Sequence, residues 1–232
     1  MYTVKDQQMR GLPETPRALQ VQFDVEIAGE PMTITKDIVF KRRDPVKGEV
    51  YRPFEVTPPV FANIVSKVYV FAHEDPKPVQ VVVKSGREDV SGTAQLEVPE
   101  GWRVEPEMVD FELALKGEEQ TIPFNLYPPS EQSEGYVKAA IEVDGATYTQ
   151  ELVIIDYDHI PTQTVLRDSK AKVVRIDLKK EGDRVAYIMG AGDEIPESLE
   201  QVGYQVDVLE DSEITLTNLN RQWRSQLGLP DL

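Results

Sequence analysis

The sequence contains no cysteine. Disulfide staples, thiolate nucleophiles and cysteine-ligated zinc or iron–sulfur centres are therefore excluded. Histidine is nearly as scarce, with only His73 and His159. Neither HExxH nor G-x-S-x-G occurs, and so few histidines leave little room for a Ser-His-Asp triad. No apolar run approaches the roughly 20 residues of a membrane-spanning helix. The opening "MYTVKDQQMRGLPETP" lacks the apolar centre of a secretory leader. Positive charge is also short: 25 basic against 41 acidic residues leave a net charge of -16. Such a surface repels phosphate backbones and anionic lipid, so neither nucleic acid nor membrane insertion is expected.

What the chain does have is turn chemistry between short apolar alternations. Seventeen prolines and fourteen glycines are spread along 232 residues, enough to end many short elements. In "ALQVQFDVEI", Leu19, Val21, Phe23, Val25 and Ile27 alternate with polar residues, the period of a strand with one buried face. "AGEP" turns the chain and "MTITKDIVFKRR" returns. "DPVKGEVYRPFEVTPPV" then reads as a proline-rich connector, and residues 1–57 as a β-rich segment, part of a sandwich.

From residue 58 to 157 the pattern becomes regular. Strands are expected in "NIVSKVYVFA", "KPVQVVVKS", "GTAQLEV", "VDFELAL", "EQTIPFNLY", "YVKAAIEVDG" and "ATYTQELVIIDY". Seven short strands in about 100 residues, with turn signals between them, predict an immunoglobulin-like β-sandwich. Asp144-Gly145 is the strongest hairpin signal in the chain. "PTQT" reads as an exposed linker. Beyond it, residues 158–232 read as the opening of a small, truncated α/β unit: strand "KVVRIDL", strand "RVAYIMG", helix "IPESLEQV", strand "YQVDVLE". The expected fold class is thus mainly β: sandwich domains followed by one strand–helix–strand unit.

Four stretches invite a chemical reading. Gly190 and Gly192 precede the short helix, and Glu210 closes the next strand, as in a dinucleotide fingerprint. Ile195 stands where the third glycine belongs, Pro196 follows, and Asp193 and Glu194 put negative charge where a phosphate would sit. A tight turn with acidic N-caps is the better reading. Asp156, Asp158 and His159 could hold a hard cation, but no calcium-loop pattern follows and a solvated acidic linker is the better reading. Arg42, Arg43 and Asp44 lie in the one basic cluster, read as a solvated turn. Trp102 in "PEGWRVEP" is a packing residue at a sandwich end or, with Tyr136, a platform for a sugar ring; Tyr127 and Tyr148 are the other aromatics to consider. No catalytic residue, metal or cofactor is assigned.

Several phrases in order carry a resemblance: "LPETPRAL", "DPVKGEVYRPFEVTPPV", "VSKVYVFA", "VPEGWRVEPE", "YDHIPTQTVL" and "YIMGAGDEIPESLEQVGY". Together, from Leu12 to Leu219, the chain resembles the C-terminal accessory region of large PIG-L (LmbE-like) deacetylases of the Bacteroidetes type. The middle part resembles the Ig-like domain attached to α-galactosidases, and the last part the start of a glutamine-amidotransferase-like domain. The resemblance implies a parent protein that removes acetyl groups from N-acetyl sugars or related amides with zinc. That family's A-H-P-D-D-E type motif is absent here, so no catalytic residue transfers to any position. "RQWRSQLGLPDL" also departs from the apolar strand the family would place there. The expectation is a non-catalytic fragment of an exported multidomain protein, with the parent's other domains as partners. The alternative is an independent carbohydrate- or surface-binding module.

Overall fold

The computed structural model describes residues 7, 10, 11, 17–157, 159–190, 194–210 and 213. The chain divides into two compact units, residues 1–58 with 152–167, and residues 59–151 with 168–232.

The second unit is built on a two-sheet sandwich. Its strands are β5 (Val60–Ile64), β6 (Val68–Phe71), β7 (Lys77–Ser85), β8 (Val90–Glu97), β9 (Arg103–Glu105), β10 (Met108–Leu113), β11 (Glu119–Tyr127), β12 (Ser133–Val143), β13 (Ala146–Tyr148) and β16 (Lys170–Arg175). One sheet runs β5-β7-β11-β9. The other runs β10-β8-β12-β16-β6, with β13 beside β12. This is the expected sandwich, and the first sheet follows the A-B-E-D order of an immunoglobulin domain. The period-two residues face inward as the alternation demands: Val79, Val81 and Val83 on β7, Ile122, Phe124 and Leu126 on β11, Val137, Ala139 and Ile141 on β12 are all buried. The Asp144-Gly145 hairpin forms as expected: Val143 pairs with Ala146, and both turn residues have positive φ, 52° and 75°.

Three expected elements come out differently. "NIVSKVYVFA" is not one strand. β5 pairs antiparallel with β7, the chain breaks at Val65–Lys67, and β6 crosses to the other sheet to pair parallel with β16. "ATYTQELVIIDY" likewise splits into β13 and β14 (Gln150–Ile155), and β14 pairs with β15 (Gln163–Asp168) rather than with the sandwich. The supposed linker "PTQT" therefore enters a strand. Most consequentially, Lys170–Arg175 does not open an α/β unit. It pairs with β12 (Val137 with Ala171, Gly135 with Val173) and buries Ala171 and Val173 in the core. Its own alternation explains why: Ala171, Val173 and Arg175 form a one-sided buried row, which suits a sandwich strand better than a two-sided parallel one.

The strand–helix–strand reading holds further on. β17 (Arg184–Ile188) and β18 (Gln205–Leu209) pair in parallel, connected through α1 (Ile195–Gln201). Pro196 sits at the start of α1 and Glu197 in its first turn, as its sequence suggests. Glu194 occupies the N-cap without a side-chain capping bond; Gly192 and Asp193 lie outside the described residues.

In the first unit, "MTITKDIVFKRR" is two strands rather than one, and the stretch read as a connector supplies the turn and return strand of a second hairpin. β1 (Gln20–Ile27) pairs antiparallel with β2 (Glu30–Asp37), and β3 (Val39–Asp44) with β4 (Gly48–Pro53). Asp44 turns the second hairpin by accepting backbone N–H bonds from Val46 (2.9 Å) and Lys47 (3.0 Å), an Asx turn. The apolar residues of β1 and β2 remain exposed.

Two tests follow from this architecture. A Cβ at Gly92 on β8 would overlap the backbone carbonyl oxygen of Glu142 on β12. Gly92→Ala is expected to cost about 3 kcal/mol, read in urea melts, whereas Gly117→Ala, with open space around it but φ 85°, costs about 1 kcal/mol. In the β3–β4 hairpin, the Lys47 and Val46 amides hold the Asp44 carboxyl below its ordinary 3.8. The Lys41 ammonium, then the Tyr51 hydroxyl, lower Glu49 below 4.5. Depressed carboxyl pKa values contribute stability that is complete above those ordinary values and fades as pH falls through the lowered ones. The protection factors of the Val46 and Lys47 amides, taken against the intrinsic exchange rate at each pH, should therefore fall below about pH 4. Asp44→Ala should bring both protection factors near one at every pH.

Candidate functional site

The residues singled out for chemistry do not converge. Trp102 is 6% exposed and belongs to the sandwich core. Its ring meets Phe71 edge-on at 5.1 Å and 76°, the favoured geometry for an aromatic pair. The buried indole N–H donates to Ser133 Oγ at 3.1 Å. The packing reading is the right one: no sugar ring can stack on this indole. Tyr148 is half-buried against the same core. Tyr127, at the end of β11, donates its hydroxyl to Glu105 at 3.0 Å, and the Arg103 guanidinium lies 4.0 Å from its ring centre. That arrangement ties β9 to β11 and occupies one face of the ring.

Tyr136 is the aromatic left open, 53% exposed on β12. It pairs across the sheet with Lys172, and the next pair on the same face is Lys138 with Lys170. Lys170 Nζ sits 5.5 Å from the Tyr136 ring centre. Lys172 is bound by Glu134 at 3.1 Å. The face is a mixed-charge strand surface carrying one aromatic ring.

At the suggested cation site, Asp156 is engaged by its own unit. Its carboxylate accepts the Thr162 hydroxyl at 2.8 Å and lies 3.6 Å from the Arg52 guanidinium. His159 stacks on Tyr157 at 5.8 Å, and Asp158 lies outside the described residues. Among the described residues, no group of three metal-ligating side chains gathers anywhere. Of the glycine turn, Gly190 is described and Gly192 is not. The helix behind it, α1, runs only seven residues. Among the described residues, no helix is long and apolar enough to cross a membrane.

The most organised polar cluster was not singled out in the sequence. β6 is an edge strand, with β16 on one side only. The outer groups of such an edge must find partners or invite another strand. Here they are taken by side chains. Gln201, at the end of α1, accepts the Val70 N–H at 2.9 Å, and its amide nitrogen lies 3.5 Å from the Val68 carbonyl. The amide of Gln201 thus stands in for a neighbouring strand. Lys77 donates to the Val70 carbonyl at 2.6 Å and also to the carbonyl of Gln201. Burial pushes the Lys77 ammonium below its ordinary pKa, the cost of placing it under the helix end. Lys180 holds the next turn, donating to Gly203 O at 2.6 Å and Asp183 at 3.0 Å. The cluster joins the helix to the sandwich edge and leaves no strand-pairing groups on Val70. Its members come from residues 68–77 and 180–203, which no local pattern connects.

No family model and no curated protein matches this chain. Among solved structures it is similar to the native conformation of Escherichia coli alpha-2-macroglobulin, at 13% identity and TM-score 0.34. That match covers 66% of this chain and only 8% of the other. It is also similar to WR4, a Caenorhabditis elegans MSP family member (12% identity, TM-score 0.29, 50% of this chain and 98% of that one). The MSP-domain-like SSP-19 of the same organism matches at 8% identity and TM-score 0.26, over 47% of this chain and 92% of that one.

The aromatic and edge residues can be separated by substitution. Trp102→Ala should cost about 3–5 kcal/mol as a core truncation, and Tyr136→Ala less than about 0.5 kcal/mol. Gln201→Ala should cost about 1 kcal/mol and speed hydrogen exchange at the Val70 amide more than at Val173, whose strand lies inside the sheet.

Proposed function

We infer that this chain is a non-catalytic scaffold region of a multidomain PIG-L-like protein, one that acts on N-acetylated sugars or related amides through a zinc domain elsewhere. The family part of this reading rests on the ordered phrases from Leu12 to Leu219. The scaffold part rests on one observation. Between β12 and β16, where an immunoglobulin domain has a simple hairpin, this chain inserts β14 and β15 and sends residues 152–167 to the first unit. Three chain crossings join the units, after residues 58, 151 and 167, where modules strung on a linker need one. The polar side chains with organised partners serve the same end. Gln201 and Lys77 close a sheet edge, and Arg52 and Thr162 hold Asp156. The proposed partners are the parent's other domains, in an exported protein.

Tyr136 supports a second reading, a carbohydrate-binding module, because an exposed tyrosine beside Lys170 offers a stacking face and a donor. Calorimetry distinguishes the two. Titrating the chain with a separately expressed zinc-dependent deacetylase domain of the PIG-L family, from the same longer protein, should give saturable binding that Tyr136→Ala leaves unchanged. A flat titration with that domain, together with glycan binding lost in Tyr136→Ala, would overturn the scaffold reading.

A further inference from the structure

The β1–β2 ribbon has two unlike faces. On one, Gln20 donates to Asp37 at 2.7 Å, while Gln22 (3.1 Å) and Thr33 (2.7 Å) both donate to Asp24. Those five polar side chains are partnered within the ribbon. On the other, the cross-strand pairs are Val21 with Lys36, Phe23 with Ile34, Val25 with Met32, and Ile27 with Glu30. Its six apolar side chains are all exposed, Phe23 at 51% and Ile27 at 58%. A lone two-stranded ribbon is marginal in water, and an apolar face of this kind needs a covering layer.

We propose that the layer is the same face of a second copy of this chain. The distribution of charge selects that occupant. The apolar face is bounded on β2 by one cation and one anion, Lys36 at one end and Glu30 at the other, and among the described residues no ion pair holds either. A two-fold axis in the plane of contact, perpendicular to the strands, reverses β2 over the β2 of the other copy. Lys36 then opposes Glu30 of the second copy, and Glu30 its Lys36. The same operation sets Phe23 over Val25, Ile34 over Met32 and Val21 over Ile27, large against smaller. An isologous contact must be self-complementary in this way, and face-to-face strand layers are an ordinary packing mode. A two-stranded face is at the small end of specific interfaces, so the association is weak and concentration-dependent. The scaffold would then carry its attached domains in pairs.

Sedimentation equilibrium of the full chain over a wide concentration range tests this. The wild type should show a monomer–dimer equilibrium, and Phe23→Asp should be monomeric throughout. Lys36→Glu and Glu30→Lys should each weaken the dimer by roughly tenfold, since each sets like charges at two symmetric positions. They change the net charge in opposite directions, so general repulsion cannot weaken both. The double variant K36E/E30K keeps the net charge and reverses both pairs, and it should recover the wild-type constant. A wild type that stays monomeric at the highest concentration overturns the proposal. So does a dimer that survives Phe23→Asp, or a double variant no stronger than the single ones. The charge-swap arm decides the matter even where Phe23→Asp disorders the ribbon.

Discussion

The pairing of β16 with β12 and β6 is the contact on which the rest of the second unit depends. β16 starts at Lys170, nearly thirty residues after β12 ends, and still completes the sheet by burying Ala171 and Val173. Without it β6 would have no neighbour, because its one ladder is the parallel pairing of Lys172–Arg175 with Val68–Phe71. Without β6 there would be no edge for Gln201 and Lys77 to close, and α1 would have nothing to hold. The long return also creates the insertion that carries β14 and β15 into the first unit. Such non-local closure is costly in chain entropy and is repaid only when the whole sandwich forms, so the sheet should fold as one cooperative body.

Negative charge is used with restraint. An excess of acidic residues raises the cost of any close carboxylate pair, and the organised contacts answer it by bringing a cation, a hydroxyl or an amide N–H to the acids they involve. Glu151, buried at 3%, is matched by Lys67, which also donates to the Ile64 carbonyl at 2.9 Å. That ammonium sits at the break where β5 ends and β6 begins to change sheets. A buried acid alone would be strongly unfavourable, whereas one paired at a strand switch fixes where the switch occurs. Exposed pairs such as Arg87–Asp144 at 2.6 Å contribute little to stability.

The regular alternation from Val79 to Val143 made the sandwich legible, and the Asp144-Gly145 turn placed a hairpin to the residue. The parallel β17–α1–β18 unit was equally visible, since its glycines, proline and apolar strands are local signals. What local pattern could not show was partnership. Lys170–Arg175 looks like any short strand, and only the vacant side of β12 makes it part of the sandwich. The splits at Val65–Lys67 and Thr149 fall at polar interruptions, Ser66-Lys67 and Thr149-Gln150-Glu151, too brief to read as turns, and what changes there is the choice of sheet. The candidate sites fared unevenly for the same reason. Trp102 could be read as packing because buried aromatics dominate sandwich cores, whereas nothing local distinguished the exposed Tyr136 from Tyr127 or Tyr148. The Gln201–Lys77 closure was invisible, because a glutamine that imitates a strand has no sequence signature.

β1 and β7 make the limit of pattern reading plain. Both alternate apolar and polar residues with period two, and Val21-Gln22-Phe23-Asp24-Val25 is as regular as Val79-Gln80-Val81-Val82-Val83. On β7 the apolar row is fully buried, because β11 and β5 extend its sheet and a second sheet covers it. On β1 the row is exposed, because the sheet stops at two strands. Alternation states that a face is fit to be covered; it does not state by what. The burial worth about 25 cal/mol for each Å² is obtained on β7 within the chain and is still unspent on β1. That difference is why the two units, similar in composition of strand, have different physical standing: the sandwich is complete in its own contacts, and the ribbon is half of one.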